Sequence, residues 1–219
     1  MPRDPVAERF SHVNAAARAA YAKLYKPGIE FAPLGLNQDT LVTPGFGGGN
    51  EWGGMAADSE GVIYAQVANG SSLTRLQENP RLAPGYKDAR PADQNGYSST
   101  RYSFSGYGGF RVNGQPAIAA PLTLLKAVDL NTGQERWSIP YDSSSNGGPV
   151  VTASGVLFIG SSGNMRAYDT RDGKLLFESK LPALAGLSPA VYMVDGRQYV
   201  ALAAAGRGSP AYIAYALPR

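Results

Sequence analysis

The chain has 219 residues, a formal net charge of +3, 17 % charged residues, one histidine and no cysteine. Without cysteine there is no disulfide framework, no thiolate zinc site and no c-type haem attachment. The small charge, with no Lys/Arg cluster, argues against nucleic-acid binding. The 27 glycines and 16 prolines suit a tightly turned β-protein. No stretch approaches the 18 apolar residues of a membrane span. The start, MPRDPVAERF, lacks the apolar region of a signal peptide. That reading expects either a cytoplasmic chain or a piece whose targeting segment lies elsewhere.

In chain order, residues 5–25 predict a helix. Val6, Phe10, Val13, Ala17, Tyr21 and Leu24 fall on one face. Asp4 suits the N-cap and Pro5 the first helical position, and Lys26, Pro27 and Gly28 end the element. Residues 1–28 thus form a helical leader, and its His12 reads as a surface residue. No nucleophile-elbow motif accompanies it. Residues 29–50 read as loop around a short strand, Thr40–Thr43. Gly53–Leu76 reads as a hairpin turning at Asp58-Ser59-Glu60-Gly61. Residues 77–121 lack periodicity and exceed a simple loop. They are either a solvated excursion or a lid carrying Tyr97, Tyr102, Tyr107 and Phe110. Beyond Leu122 we predict nine strands, near 122–129, 134–139, 148–152, 156–160, 164–169, 174–179, 188–194, 197–204 and 211–217. Turns such as Asn131-Thr132-Gly133 and Asp195-Gly196 supply the positive φ that hairpins need.

One segment occurs twice. LLKAVDLNTGQERWSI (124–139) aligns with NMRAYDTRDGKLLFES (164–179). The alignment matches Ala127 with Ala167, Asp129 with Asp169, Gly133 with Gly173 and Trp137 with Phe177. Pro149 and Val151 match Pro189 and Val191. A weaker third copy aligns Gly54 and Gly61–Tyr64 with Gly148 and Gly155–Phe158. A period near forty with strand–turn–strand content marks a β-propeller blade. The fold predicted is all-β, a partial β-propeller of about three blades with an N-terminal α-helix. Each repeat residue has a mechanical reading. Ala127 and Ala167 allow close sheet approach, Asp129 caps its own turn, and Gly133 and Gly173 take left-handed geometry. Trp137 packs between blades, with its indole N–H toward a carbonyl of the next.

AVDLNTGQERW (127–137) resembles the tryptophan-docking motif of pyrroloquinoline-quinone (PQQ)-dependent alcohol and sugar dehydrogenases. TLVTPGFGGGNEWGG (40–54), GFRVNGQPAIAAPLTLLKAVDLNTG (109–133), GGPVVTASGVLFIGSS (147–162), DGRQYVALAAAGRGS (195–209) and YIAYALP (212–218) resemble further blocks of that family, in its order. The glucose/quinate type is the most similar. The resemblance implies that residues 29–219 are about three blades of an eight-bladed propeller, with 77–121 as an insertion. It implies a PQQ cofactor near the axis with a calcium ion, an aspartate base, and hydride transfer from an alcohol or sugar hydroxyl to the quinone. Carried over by position, Asn50, Glu51, Trp52, Asn146, Gly147 and Arg207 are the cofactor-binding candidates. Arg207 stands where relatives often have a GGHGS-like segment. The family's catalytic aspartate, calcium ligands and the tryptophan beneath the quinone belong to earlier blades, which have no matching segment here. The haem-binding cysteine cluster of some relatives is also missing, and residues 77–105 stand in its place. The resemblance therefore implies a C-terminal portion of a periplasmic dehydrogenase, inactive alone, that pairs with its missing blades or with itself. A second reading is a non-enzymatic propeller scaffold for a protein partner. It shares the docking motif but leaves GGGNEWGG unexplained.

Overall fold

The computed structural model describes residues 15–45, 48–50, 53–79, 101–105, 109–118, 121–141, 147–184, 187–205 and 208–217. Among them are one helix, α1 (Ala15–Tyr21), and sixteen strands. The strands are β1 (Thr40–Val42), β2 (Met55–Ala57), β3 (Val62–Ala68), β4 (Ser72–Glu78), β5 (Tyr102–Ser105), β6 (Arg111–Val112), β7 (Gln115–Pro116) and β8 (Thr123–Asp129). They continue with β9 (Glu135–Tyr141), β10 (Val150–Val151), β11 (Val156–Ser161), β12 (Asn164–Asp169), β13 (Leu175–Lys180), β14 (Ala190–Val194), β15 (Arg197–Ala204) and β16 (Ala211–Tyr215). All nine strands expected beyond Leu122 are present, each within two residues of its predicted bounds.

The chain divides into two compact units, residues 1–46 with 71–119 and residues 47–70 with 120–219. In the first, β4 lies between β1 and β5, and β6 and β7 form a small hairpin. The helix buries Ala17 and Tyr21. It closes earlier than the apolar spacing suggests, because Lys23 and Leu24 donate to the carbonyls three residues back, which tightens the last turn. Tyr25 N–H then leaves the helix for Asp39 O at 2.8 Å. The expected helix over 5–14, including His12, lies outside the described residues, as do Tyr97 and Tyr107. The insertion is not structureless: β5, β6 and β7 fall within 77–121.

The second unit holds three antiparallel sheets, ordered β2-β3-β8-β9, β10-β11-β12-β13 and β14-β15-β16. These are the blades. The first corrects the expected hairpin Gly53–Leu76. β2 and β3 do pair around the Asp58–Gly61 turn, but their ladder ends at Ala65, opposite Met55, and β4 joins β1 and β5 instead. The partner of β3 is β8, from Val62 opposite Asp129 to Ala68 opposite Thr123. The weak third copy is thus the inner half of the blade whose outer half is β8–β9, and the insertion splits that blade between its second and third strands.

The repeat residues act as their chemistry requires. Asp129 Oδ1 accepts Asn131 N–H at 2.8 Å, and Asp169 Oδ1 accepts Arg171 N–H at 2.9 Å. Gly133 and Gly173 sit at φ 70° and 72°, so a side chain there costs roughly 1–2 kcal/mol in backbone strain. Both copies carry a bulge at the same place, beside Ala127 and beside Ala167. Such a bulge re-aims the side chains next to it. Trp137 Nε1 donates to Thr170 O in the next sheet at 2.9 Å. Its ring lies against the position a Gly173 Cβ would take, 3.0 Å away, so Gly173 serves the joint as well as its own turn.

Between the first and second blades the core comprises Val62, Tyr64, Leu125, Ala127, Tyr141, Leu157, Ile159 and Tyr168. Between the second and third it comprises Met165, Leu181, Ala183, Val200, Leu202 and Ala204. Phe177, the counterpart of Trp137, meets Tyr215 edge-on at 5.6 Å. It has no N–H to give. Within the third blade, the carbonyl of Leu217, just past β16, receives the Arg197 guanidinium.

The turn carboxylates set an acid limit. Arg171, by side-chain and then backbone hydrogen bonds, holds Asp169 down to about 2, against an ordinary 3.8. Asp129 is lowered as well, first by Arg136. A depressed carboxylate stabilises the fold above its unfolded pKa and loses that contribution as pH falls through the folded value. Melting temperature is therefore expected to fall between pH about 4 and about 2, modestly because both ion pairs lie at the surface, where solvent screens them. Asp169→Asn should flatten part of that decline. Melts of both proteins across this window check it, and equal slopes would contradict it.

Candidate functional site

Successive strands run in opposite directions, so each blade has one end bearing the tight turns 58–61, 130–133, 153–155, 171–173 and 195–196. The other end carries the starts of β2, β10 and β14. At that second end the first strands of the three sheets converge. Ser188 Oγ, ahead of β14, donates to Gly53 O, ahead of β2, at 2.6 Å. A Cβ on Gly148, ahead of β10, would lie 1.7 Å from the same oxygen. One on Gly147 would lie 2.4 Å from Gly160 O. Glycine is needed at 148 because backbones from different blades touch there, as they must where radial sheets meet near an axis, and at 147 because the neighbouring strand β11 of its own blade lies against it.

Two candidate residues are described, and both lie at this convergent end. Asn50 is exposed, and its Nδ2 donates to Gln66 O at 3.1 Å and to Gly54 O at 3.3 Å. Both partners are acceptors, so the amide orientation is forced. The side-chain oxygen is left as the group that can meet a ligand. Gly147 is buried against Gly160 and acts in packing; it can offer a ligand only backbone. Glu51, Trp52, Asn146 and Arg207 lie outside the described residues. Their described chain neighbours, Asn50, Gly53, Gly147, Ala205 and Gly208, belong to the same end of the blades.

The sequence reading missed a polar group beside this end, in the joint between the first two blades. Gln66 Nε2 donates to Ser161 Oγ at 3.2 Å, and both side chains are buried. Arg166 Nη1 donates to Ser161 O, and its guanidinium lies 5.3 Å from the Tyr141 ring centroid. The hydroxyls of Tyr141 and Tyr168 are 2.8 Å apart. Burial, foremost, pushes both phenols above their ordinary 10.0, so both are neutral donors at pH 7. The sequence signal was Gln66 itself, a polar residue on the strand face that also carries Val62 and Tyr64.

The described site is thus made of amides, hydroxyls and close-packed backbone, groups that bind and orient. Among the described residues no group of three or more His, Cys, Asp or Glu could hold a metal ion. An organic cofactor fits here in one respect: Asn50 is fixed by two carbonyls and has an acceptor to spare.

Three radially arranged antiparallel sheets joined by a docked tryptophan define a β-propeller sector. The PQQ-type glucose/ethanol/alcohol dehydrogenase β-propeller domain family matches residues 4–200, and the chain belongs to this family. The quinoprotein glucose dehydrogenase of Escherichia coli is 30 % identical over 237 residues, covering 92 % of this chain and 29 % of that protein. The quinohemoprotein alcohol dehydrogenase of Comamonas testosteroni is 30 % identical over 203 residues, covering 90 % and 26 %. The crystal structure of the Comamonas enzyme superimposes with a TM-score of 0.58 at 27 % identity, over 83 % of this chain and 26 % of that one. A europium-containing methanol dehydrogenase shares the fold, with a TM-score of 0.59 over 77 % of this chain. The chain spans under a third of the length of these relatives. No described helix is long and apolar enough to cross a membrane.

Proposed function

We propose that the chain is the C-terminal portion of a periplasmic PQQ-dependent dehydrogenase acting on an alcohol or sugar hydroxyl. Its role is to supply walls of the cofactor site, while the calcium ligands and the catalytic base belong to blades it does not contain. The observation that carries this is the match of residues 4–200 to the family against relatives more than three times as long. PQQ, when bound, would take up the hydride, which carries both electrons of the oxidation. Asn50, Glu51 and Trp52 ahead of β2, Asn146 and Gly147 ahead of β10, and Arg207 after β15 would hold and orient it. The Asn50 side-chain oxygen would accept from the ligand, and Arg207 would pair with a cofactor carboxylate.

Among the described residues the third blade has three strands and ends at β16, whereas the other two blades have four strands each. A missing set of blades, or a second copy of the chain, would complete the wheel along that edge. The test is dye reduction with PQQ, calcium and glucose, quinate or simple alcohols. It is run on the chain alone and on the chain co-expressed with the upstream blades of a relative. We expect no turnover alone and PQQ-dependent turnover in the pair. Turnover by the isolated chain would overturn the division of labour, and a folded pair that stays silent would overturn the assignment to catalysis.

A further inference from the structure

We propose that a water molecule is built into the joint between the first two blades, held by Gln66, Thr123 and the Tyr141–Tyr168 hydroxyl pair. The accounting of polar atoms points there. Thr123 is fully buried and Gln66 is 4 % exposed, yet Thr123 Oγ1 and Gln66 Oε1 have no hydrogen-bond partner. Buried hydroxyls and amides are almost always satisfied, and the usual remedy is an ordered water. Turning the Gln66 amide over does not remove the need. Ser161 Oγ would then donate to the oxygen, and the amide nitrogen would be stranded in its place.

The strand registers set Gln66, Thr123 and Tyr141 beside one another on the first blade. Thr123 stands directly opposite Tyr141 on β9 and opposite Ala68 on β3, two residues from Gln66. A period of two puts Gln66, Ala68, Thr123 and Tyr141 on the same face of the sheet, the face that packs on the second blade through Tyr168 and Ser161. The tyrosine pair adds a donor. Two hydroxyls 2.8 Å apart share one hydrogen between them, and the other hydrogen has no acceptor in that pair. A water here accepts that hydrogen and donates to Thr123 Oγ1 and Gln66 Oε1. Three bonds is the usual number for a buried water. Toward the tight-turn end the joint is packed by Val62, Tyr64, Ala127 and Leu157. The water thus marks a buried polar stretch of the joint beside the convergent end, away from the Trp137–Thr170 bond at the tight-turn end, and pins the relative position of the two blades there.

The test is a crystal structure of the full chain that resolves ordered water, together with thermal unfolding of Thr123→Val and Thr123→Ser. We expect density within hydrogen-bonding distance of both Thr123 Oγ1 and the Gln66 amide. We expect Thr123→Val, which keeps the volume but removes the hydroxyl, to lower the melting temperature by about 2–6 °C. Thr123→Ser keeps the hydroxyl and should retain the density. In a dry joint the valine would replace an unsatisfied hydroxyl and raise stability. An empty site, or a Thr123→Val melting temperature equal to or above that of the parent, overturns the proposal.

Discussion

Gly148→Ala is expected to lose about 3 kcal/mol or more of stability, beyond the usual range for overpacking. The new Cβ would fall 1.7 Å from Gly53 O and 2.6 Å from Ser188 Oγ. A rotamer change can move the serine, but the Gly53 carbonyl belongs to another blade's backbone, so whole strands must separate. That breaks the Ser188–Gly53 bond and opens the end where the cofactor candidates cluster. In a domain of this size the loss corresponds to a melting temperature about 6–12 °C lower. Gly54→Ala is the control. Gly54 has φ 75° but nothing within 4 Å of its Cβ position. It should lose only the strain of left-handed backbone, roughly 1–2 kcal/mol. Equal losses at the two positions, measured by denaturant unfolding, would contradict the convergence of the three blades at Gly148.

Trp137→Ala is expected to cost about 3–4 kcal/mol, near the lower end for buried aromatics, because the ring is only partly buried. The indole touches Tyr64 at 5.8 Å between centroids, packs at Gly173 and donates to Thr170 O. Truncation removes the area and leaves that carbonyl without its donor. Trp137→Phe isolates the second effect and should cost about 1 kcal/mol, the net worth of a hydrogen bond. Phe177→Ala, at the equivalent position of the next blade, should cost less than Trp137→Ala. Phe177 is 44 % exposed and has no N–H to donate across its joint. Urea titrations of the three variants check this order, and a Phe177→Ala loss equal to that of Trp137→Ala would contradict it.

These variants also mark what the sequence discloses. Asp129, Gly133 and Trp137 recur near a forty-residue period because each solves a local problem, a turn or a docking contact, and local problems leave local patterns. The nine later strands were legible for the same reason. The pairing of β3 with β8 was not. It joins Val62 to Asp129 across an insertion, and no periodicity records a contact at that separation. The same limit hid the Gly53–Gly148–Ser188 contact, although Ser188-Pro189 aligns with Gly148-Pro149 and so marks the position without naming its neighbour. Gln66, Thr123 and Tyr141 come together only once the split blade is assembled. For the cofactor candidates the sequence supplied positions by resemblance, and the fold adds that Asn50 and Gly147 occupy one end of the blades, one as a fixed amide and the other as a packing contact.

The most direct test is a crystal structure of the 219-residue chain at a resolution that defines backbone hydrogen bonds. The account predicts a four-stranded sheet in the order β2-β3-β8-β9, with the Trp137 indole N–H on the Thr170 carbonyl of the neighbouring sheet. A continuous β3–β4 hairpin, or the later strands closed into a barrel or a two-sheet sandwich, would contradict it.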